Sequence, residues 1–112
     1  MKGNDLDIPQ ELIYANDLQR GGQYKASRER YTRFLDENPT HPLRFKSLFE
    51  VADNLFYEKQ YAKATDAYRA FIRYCESQQN VTSEEQGWIE TYLKLADSRM
   101  HEISRKDAKP DV

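Results

Sequence analysis

The sequence predicts an all-α protein, built as a stack of about five antiparallel helices. The first reason is an internal duplication, in which a set of aromatic and polar positions recurs after 37 residues: Gln23-Tyr24, Tyr31 and Phe34-Leu35 match Gln60-Tyr61, Tyr68 and Phe71-Ile72. A period of this length is typical of stacked helical repeats, because one unit cannot bury its apolar face alone. The second reason is composition, since 32% charged residues with only four Gly and four Pro favours surface helices over a sheet.

The first two helices have clear start and stop signals. Asp7 can cap a first helix whose opening turn holds Pro9 and Glu11. Gly21-Gly22 ends this helix, because left-handed backbone geometry costs little for glycine. A second helix is predicted over residues 24–36, where it stops before an Asn-Pro pair.

Three further helices follow. Residues 43–58 repeat the apolar spacing of the first helix, and a fourth helix is predicted over residues 61–77. Thr82 or Ser83 caps the fifth helix, with Glu85 placed to complete a capping box. The fifth helix then runs to the end of the domain.

The chain is predicted to contain one domain. Residues 8–104 form the helical domain, between a flexible N-terminus at residues 1–7 and a disordered C-terminal tail at residues 105–112. The tail has too few apolar residues to pack. At 112 residues, the chain is long enough to bury a single core.

The duplicated residues resemble the tetratricopeptide repeat. The second copy carries the pattern most completely: Leu48, Val51-Ala52, Leu55, Tyr61, Ala64, Tyr68 and Phe71. The first copy shares most of it: Tyr14-Ala15, Leu18, Tyr24, Ser27, Tyr31, Phe34 and Pro39. A partial third copy is formed by Tyr92 and Leu95-Ala96. The resemblance implies a solenoid of two and a half repeats that serves as a protein-binding scaffold.

A narrower resemblance concerns location. The stretch Tyr31–Pro39 and its lengthened linker are similar to bacterial envelope repeat proteins, such as the TolA-binding cell-division coordinators and the lipoproteins of outer-membrane protein assembly. This resemblance implies a periplasmic location if the chain is a fragment lacking its leader. As written, the sequence has no apolar run of membrane-spanning or signal-peptide length, so it predicts a cytoplasmic protein without membrane insertion.

The family resemblance also implies where a partner binds. The first helix of each hairpin lines a concave groove, and counting turns from Ala15, Ala52 and Ala96 gives its positions: Leu12, Asn16, Gln19, Phe49, Asp53, Phe56, Leu93, Asp97 and Met100. Apolar walls with a few polar anchors suit an extended peptide or an amphipathic helix. Asp53 and Asp97 would favour a partner with basic side chains if they line the groove, whereas aspartates at such positions are more often simply solvated. The alternative is that Phe49 and Phe56 are plain core beneath the last helix.

Other functions are less well supported by the sequence. The chain has one cysteine, Cys75, which follows an apolar pair at helical spacing and is expected to be buried. His41 and His101 are far apart in sequence, and no phosphate-binding loop is present, so we predict no catalytic site, metal or cofactor. The net charge of -2 predicts no nucleic-acid partner. RNA binding along Arg28 and Arg33, or self-association of a scaffold domain, are the alternatives.

Overall fold

The computed structural model describes residues 8–78 and 81–108, and every regular element within these ranges is an α-helix. The helices are α1 (Gln10–Arg20), α2 (Tyr24–Glu37), α3 (Arg44–Tyr57), α4 (Tyr61–Ser77) and α5 (Ser83–Ala108). Each helix packs on the one before it, and α5 also contacts α3. The predicted all-α stack is therefore confirmed.

The turns within the two hairpins have the same backbone hydrogen bonds. Between α1 and α2, the Gln23 N–H donates to the Leu18 carbonyl over 2.8 Å. Between α3 and α4, the Gln60 N–H donates to the Leu55 carbonyl over 2.9 Å, 37 residues further on. The duplication seen in the sequence is thus a duplication of local structure, including the backbone of the turn.

Lys59 occupies the left-handed position of its turn. Its φ is 65°, and the equivalent residue in the first turn, Gly22, has a φ of 84°. A side chain in this region costs roughly 1–2 kcal/mol, which exceeds the 0.5–1 kcal/mol that glycine loses in chain entropy. We therefore expect Lys59→Gly to raise the free energy of unfolding by about 0.5 kcal/mol, measured by urea denaturation.

The matched control is Gly22→Ala. No atom lies within 4 Å of the Cβ that this substitution adds, so any loss comes from the backbone alone. We expect it to lower the free energy of unfolding by about 1 kcal/mol. A destabilised Lys59→Gly variant would contradict the assignment of strain to this turn.

The start of α5 is the predicted capping box. The Thr82 N–H donates to Glu85 Oε1 over 3.0 Å, and the Glu85 N–H donates to Thr82 Oγ1 over 3.1 Å. The helix continues to Ala108, past the expected end of the domain at residue 104. Arg105 and Lys106 stabilise its last turn, because cations interact favourably with a helix C-terminus. The proposed Asp7 cap, the segment 1–7 and residues 109–112 lie outside the described residues.

Two clusters of buried side chains form the core. The first lies between α1 and α2, the second joins α3, α4 and α5, and half-buried Leu43 and Val51 contact both. Cys75 belongs to the second cluster, and burial raises the pKa of its thiol to about 11. Cys75 is therefore a buried packing residue, as predicted.

The position of α5 on the second hairpin can be compared with the position of α3 on the first hairpin, because the two helices make equivalent contacts. Tyr24, which begins α2, stacks on Tyr57 of α3 with ring centroids 5.2 Å apart. Tyr61, which begins α4 and is the equivalent of Tyr24, lies 5.9 Å from the Lys106 Nζ of α5. Lys106 of α5 therefore takes the place that Tyr57 has in α3.

A second pair of contacts gives the same register. Gln19 of α1 donates to Glu50 of α3 over 3.0 Å. Phe56, the equivalent of Gln19, lies 5.3 Å from the Arg99 guanidinium of α5. Arg99 of α5 therefore takes the place of Glu50 of α3.

This register corrects the alignment of the third copy. Ala96 corresponds to Ser47 of α3, not to Ala52 as the sequence alignment has it. The physical reason is the apolar seam of α5, in which Ile89, Ala96 and Ile103 are all buried against the second hairpin. These residues are spaced by seven, so they share one face of the helix.

Candidate partner-binding groove

A stripe of polar side chains runs along one face of α3. The residues are spaced by four, three and four, so they lie on the same side of the helix: Lys46, Glu50, Asp53 and Tyr57. We call these four residues the polar stripe. Its members range from buried Asp53 to exposed Tyr57.

The polar stripe lies between α1 and α5. On one side, Gln19 Nε2 of α1 donates to Glu50 Oε1 over 3.0 Å. On the other, Arg99 Nε of α5 donates to Asp53 Oδ1 over 2.9 Å. The stripe therefore lies on α3 between α1 and α5, and we call this face of the molecule the α3 groove.

Asp53 is at the centre of a charged network. Its carboxylate accepts two hydrogen bonds from Arg99, at 2.9 and 3.3 Å, and one from the Tyr68 hydroxyl. The hydrogen bond to Asp53 raises the pKa of Arg99, and burial followed by the charge of Asp53 raises the pKa of Tyr68. Because Arg99 neutralises this carboxylate, Asp53 gives no reason to expect a basic partner, which corrects the prediction from the sequence.

The first hairpin lacks this network. Tyr31 is the equivalent of Tyr68, but its buried hydroxyl has no hydrogen-bond partner. Burial, and then the charge of Glu50, raise the pKa of Tyr31. Asn16 stands at the position equivalent to Asp53 and is half-buried. The two hairpins therefore share a backbone but differ in the polar contacts on this face.

The stripe also carries a second charge pair, whose members bind each other. Lys46 Nζ donates to Glu50 Oε2 over 3.0 Å and lies 5.8 Å from the ring of Tyr92. Desolvation alone would lower the pKa of Lys46, but Glu50 and Tyr92 outweigh it, so the pKa is raised. With Gln19 on its other oxygen, Glu50 is fully engaged. The floor of the groove is thus polar without a net charge.

Exposed apolar surface flanks the charged residues of this floor, and part of it belongs to the last residue of the stripe. Tyr57 is 40% exposed, and its ring is held by stacking on Tyr24 and by the Arg99 guanidinium at 5.8 Å. Leu95 lies one turn before Arg99 on the same side of α5 and is 37% exposed. Tyr57 on α3 and Leu95 on α5 thus expose apolar surface on either side of the Arg99–Asp53 pair, and we call these two residues the apolar edge.

Phe49, predicted as a groove residue, is instead part of the core. It is 2% exposed, and its ring centroid lies 5.9, 5.6 and 4.9 Å from those of Tyr68, Phe71 and Tyr92. Phe49 therefore packs beneath α5, which is the alternative that the sequence left open. Phe56 is half-buried, because the Arg99 guanidinium lies over its ring.

The predicted groove residues of α1 divide between core and surface. Leu12 is buried in the first core cluster, so it is not available to a partner. Asn16 and Gln19 are half-buried, and Gln19 reaches the groove through Glu50.

The predicted residues of α5 do not lie on the side of the helix that carries Arg99. Leu93 and Met100 are half-buried and pack on the core, while Asp97 is exposed. Asp97 is two positions from both Leu95 and Arg99, so it lies on a different side of the helix. The groove side of α5 is instead formed by Leu95 and Arg99.

Sequence reasoning missed five of the groove residues: Lys46, Glu50, Tyr57, Leu95 and Arg99. One signal for them was present. Arg99 interrupts the apolar pattern of the third copy, and a charged residue at a packing position indicates a buried ion pair. Asp53 of α3 is the acidic partner that such an ion pair requires.

Comparison with known proteins gives no relative: no protein-family model matches the chain, and no curated protein or solved structure is significantly similar to it. Within residues 8–78 and 81–108, no group of three His, Cys, Asp or Glu side chains is placed to hold a metal ion. None of the helices in these ranges is both long and apolar enough to cross a bilayer. The tetratricopeptide assignment stays a prediction.

Proposed function

We propose that the chain is a non-catalytic interaction module that binds a peptide segment or helix of another protein in the α3 groove. The observation that supports this function is the exposed apolar edge of Tyr57 and Leu95 beside a floor whose charges are already paired. Aromatic and arginine side chains are typical of the residues that contribute most to protein binding. Because Tyr57 and Arg99 are held in place before binding, ordering them costs little conformational entropy.

The charges of the groove define the partner. Lys46 is paired with Glu50, and Arg99 with Asp53, so the floor offers no net charge to a ligand. A strongly charged segment would have to displace one of these pairs. The best ligand therefore has one apolar or aromatic residue to cover Tyr57, with uncharged polar residues on either side.

The proposed function can be tested with a displayed peptide library selected on the purified chain. We expect Tyr57→Ser and Leu95→Ser each to weaken binding of the selected peptides at least about tenfold, since central interface residues contribute roughly 1–2 kcal/mol or more. Isothermal titration calorimetry measures the loss. The matched control is Tyr14→Ser, because Tyr14 is a similarly exposed tyrosine, at 47%, outside the groove.

Chemical-shift mapping locates the bound peptide independently. Amide shifts should concentrate on α3 around Asp53 and on α5 around Arg99. Two results would overturn the proposal. One is a set of peptides that bind the Tyr57→Ser variant as tightly as the unaltered chain, and the other is repeated selection that yields no binder.

RNA binding along α2 has less support. Arg28 is held by Glu58 in an ion pair of 2.6 Å, and hydrogen bonding to Arg28 lowers the pKa of that carboxyl. Tyr31 is buried, so its ring is not available to stack on a base. Arg33 alone does not make the cluster of cations that phosphate binding requires.

A further inference from the structure

An apolar patch is formed by α1 and by a residue just before it, at the opposite end of the stack from α5. Ile8, Ile13 and Tyr14 are 53%, 42% and 47% exposed, and we call them the α1 patch. The Arg30 guanidinium of α2 covers part of the Tyr14 ring at 4.7 Å. Three large exposed apolar side chains within residues 8–14 are more than solvent contact requires.

The duplication indicates what this face of the helix does. Tyr14 and Asp17 of α1 are the equivalents of Val51 and Asn54 of α3. Val51 packs against the first core cluster, and the Asn54 amide donates to Ser27 Oγ over 3.0 Å. In α3 this face is the interface with the preceding hairpin. In α1 the same face has no preceding hairpin within the described residues.

The other end of the stack has a different surface. In α3, Phe49 and Ala52 face the following helix and are buried. In the register of α5, the equivalent residues are Ser98 and His101, and both are exposed. The outer face of α5 is therefore polar, as expected of a capping element. An α1 patch cannot bury its apolar side chains by packing on this face, so copies do not stack head to tail.

We propose that two copies of the chain pair through their α1 patches as a two-fold symmetric dimer. A two-fold axis places identical surfaces together, so each apolar patch covers the other. The surrounding charges allow this pairing, because two are acidic and two are basic: Glu11, Asp17, Arg20 and Arg30. Two such neutral faces meet without net repulsion, and each offers both signs of charge to the other.

The dimer is expected to be weak. The patch consists of two neighbouring residues of an 11-residue helix and one residue that precedes it, and interfaces of this size fall in the low range associated with transient association. Dissociation should therefore occur in the micromolar range, roughly 1–100 µM.

Sedimentation equilibrium of the full chain tests the proposal. The weight-average mass should rise from that of the 13.3 kDa monomer towards twice that value as the concentration increases. Ile13→Asp should leave a monomer at every concentration, because it buries two carboxylates near the axis. The matched control is Leu95→Asp, since Leu95 is similarly exposed, at 37%, but lies on α5. This control should dimerise normally.

Circular dichroism shows whether the Ile13→Asp variant folds. If it does not, a second variant tests the proposal. Asp17→Arg leaves one acidic and three basic residues around the patch. Two such faces should repel each other at low salt and regain part of their affinity as salt is added. A chain that is monomeric throughout the concentration range would overturn the proposal. So would a dimer unchanged by both α1 variants, or one that Leu95→Asp also disrupts. None of these outcomes bears on peptide binding at Tyr57.

Discussion

Phe49→Ala should lower the free energy of unfolding by about 3–5 kcal/mol, the range for removing a buried aromatic ring. The loss is large because Phe49 is 2% exposed and fills the space between α3, α4 and α5, where the rings of Tyr68, Phe71 and Tyr92 surround it. Urea denaturation followed by circular dichroism measures the change.

The matched control is Phe56→Ala, two turns further along α3. Phe56 is half-buried, and its ring lies at the edge of the core under Arg99. Its removal should cost about half as much as that of Phe49, because less apolar area returns to water. Equal losses for the two variants would contradict the placement of Phe49 in the core and of Phe56 at its edge.

Asp53→Ala should be the second most damaging change, with an expected loss of about 3 kcal/mol. The substitution leaves Arg99 without its carboxylate and leaves the buried Tyr68 hydroxyl without an acceptor. A charge that has lost its partner costs more than the pair itself contributed. A double-mutant cycle with Arg99→Met isolates this cost. The double variant should be less destabilised than the sum of the two single variants.

The duplicated tyrosines give a control within the same chain. Tyr68→Phe removes a hydroxyl that donates to Asp53 and should cost about 1–2 kcal/mol. Tyr31→Phe removes the equivalent hydroxyl, which is buried without a partner, and should cost nothing measurable or be slightly stabilising. A similar loss for both variants would show that Asp53 is not the source of the difference.

The helices and turns were predictable because their signals are local. The capping box of Thr82 and Glu85 and the turn at Gly22 each depend on residues within a few positions of one another. Lys59 shows the limit of such rules. It adopts the glycine conformation without being glycine, and only the alignment with Gly22 indicates it.

The groove was harder to predict, because its residues come from three helices. Its place on α3 followed from the repeat, since counting from Ala52 leads to Asp53, which lies on the polar stripe. Which aromatic side chains remain exposed depends on how α5 lies across the second hairpin. That register depends on the burial of the apolar seam of α5 against the second hairpin, and it brings Arg99 to Asp53, 46 residues away in the sequence. The spacing of residues within α5 alone does not show whether Ala96 packs on the preceding hairpin or would face the second helix of a further hairpin.

The polar stripe also has a mechanical consequence. Glu50 is bonded to α1, and Asp53, one turn later, is bonded to both α4 and α5. One turn of α3 thus connects helices from both ends of the molecule, although α1 and α5 belong to different core clusters. A ligand that immobilises this turn would restrain the opening of both ends together. A ligand bound in the groove would then make both ends of the molecule more rigid without changing the conformation of the chain.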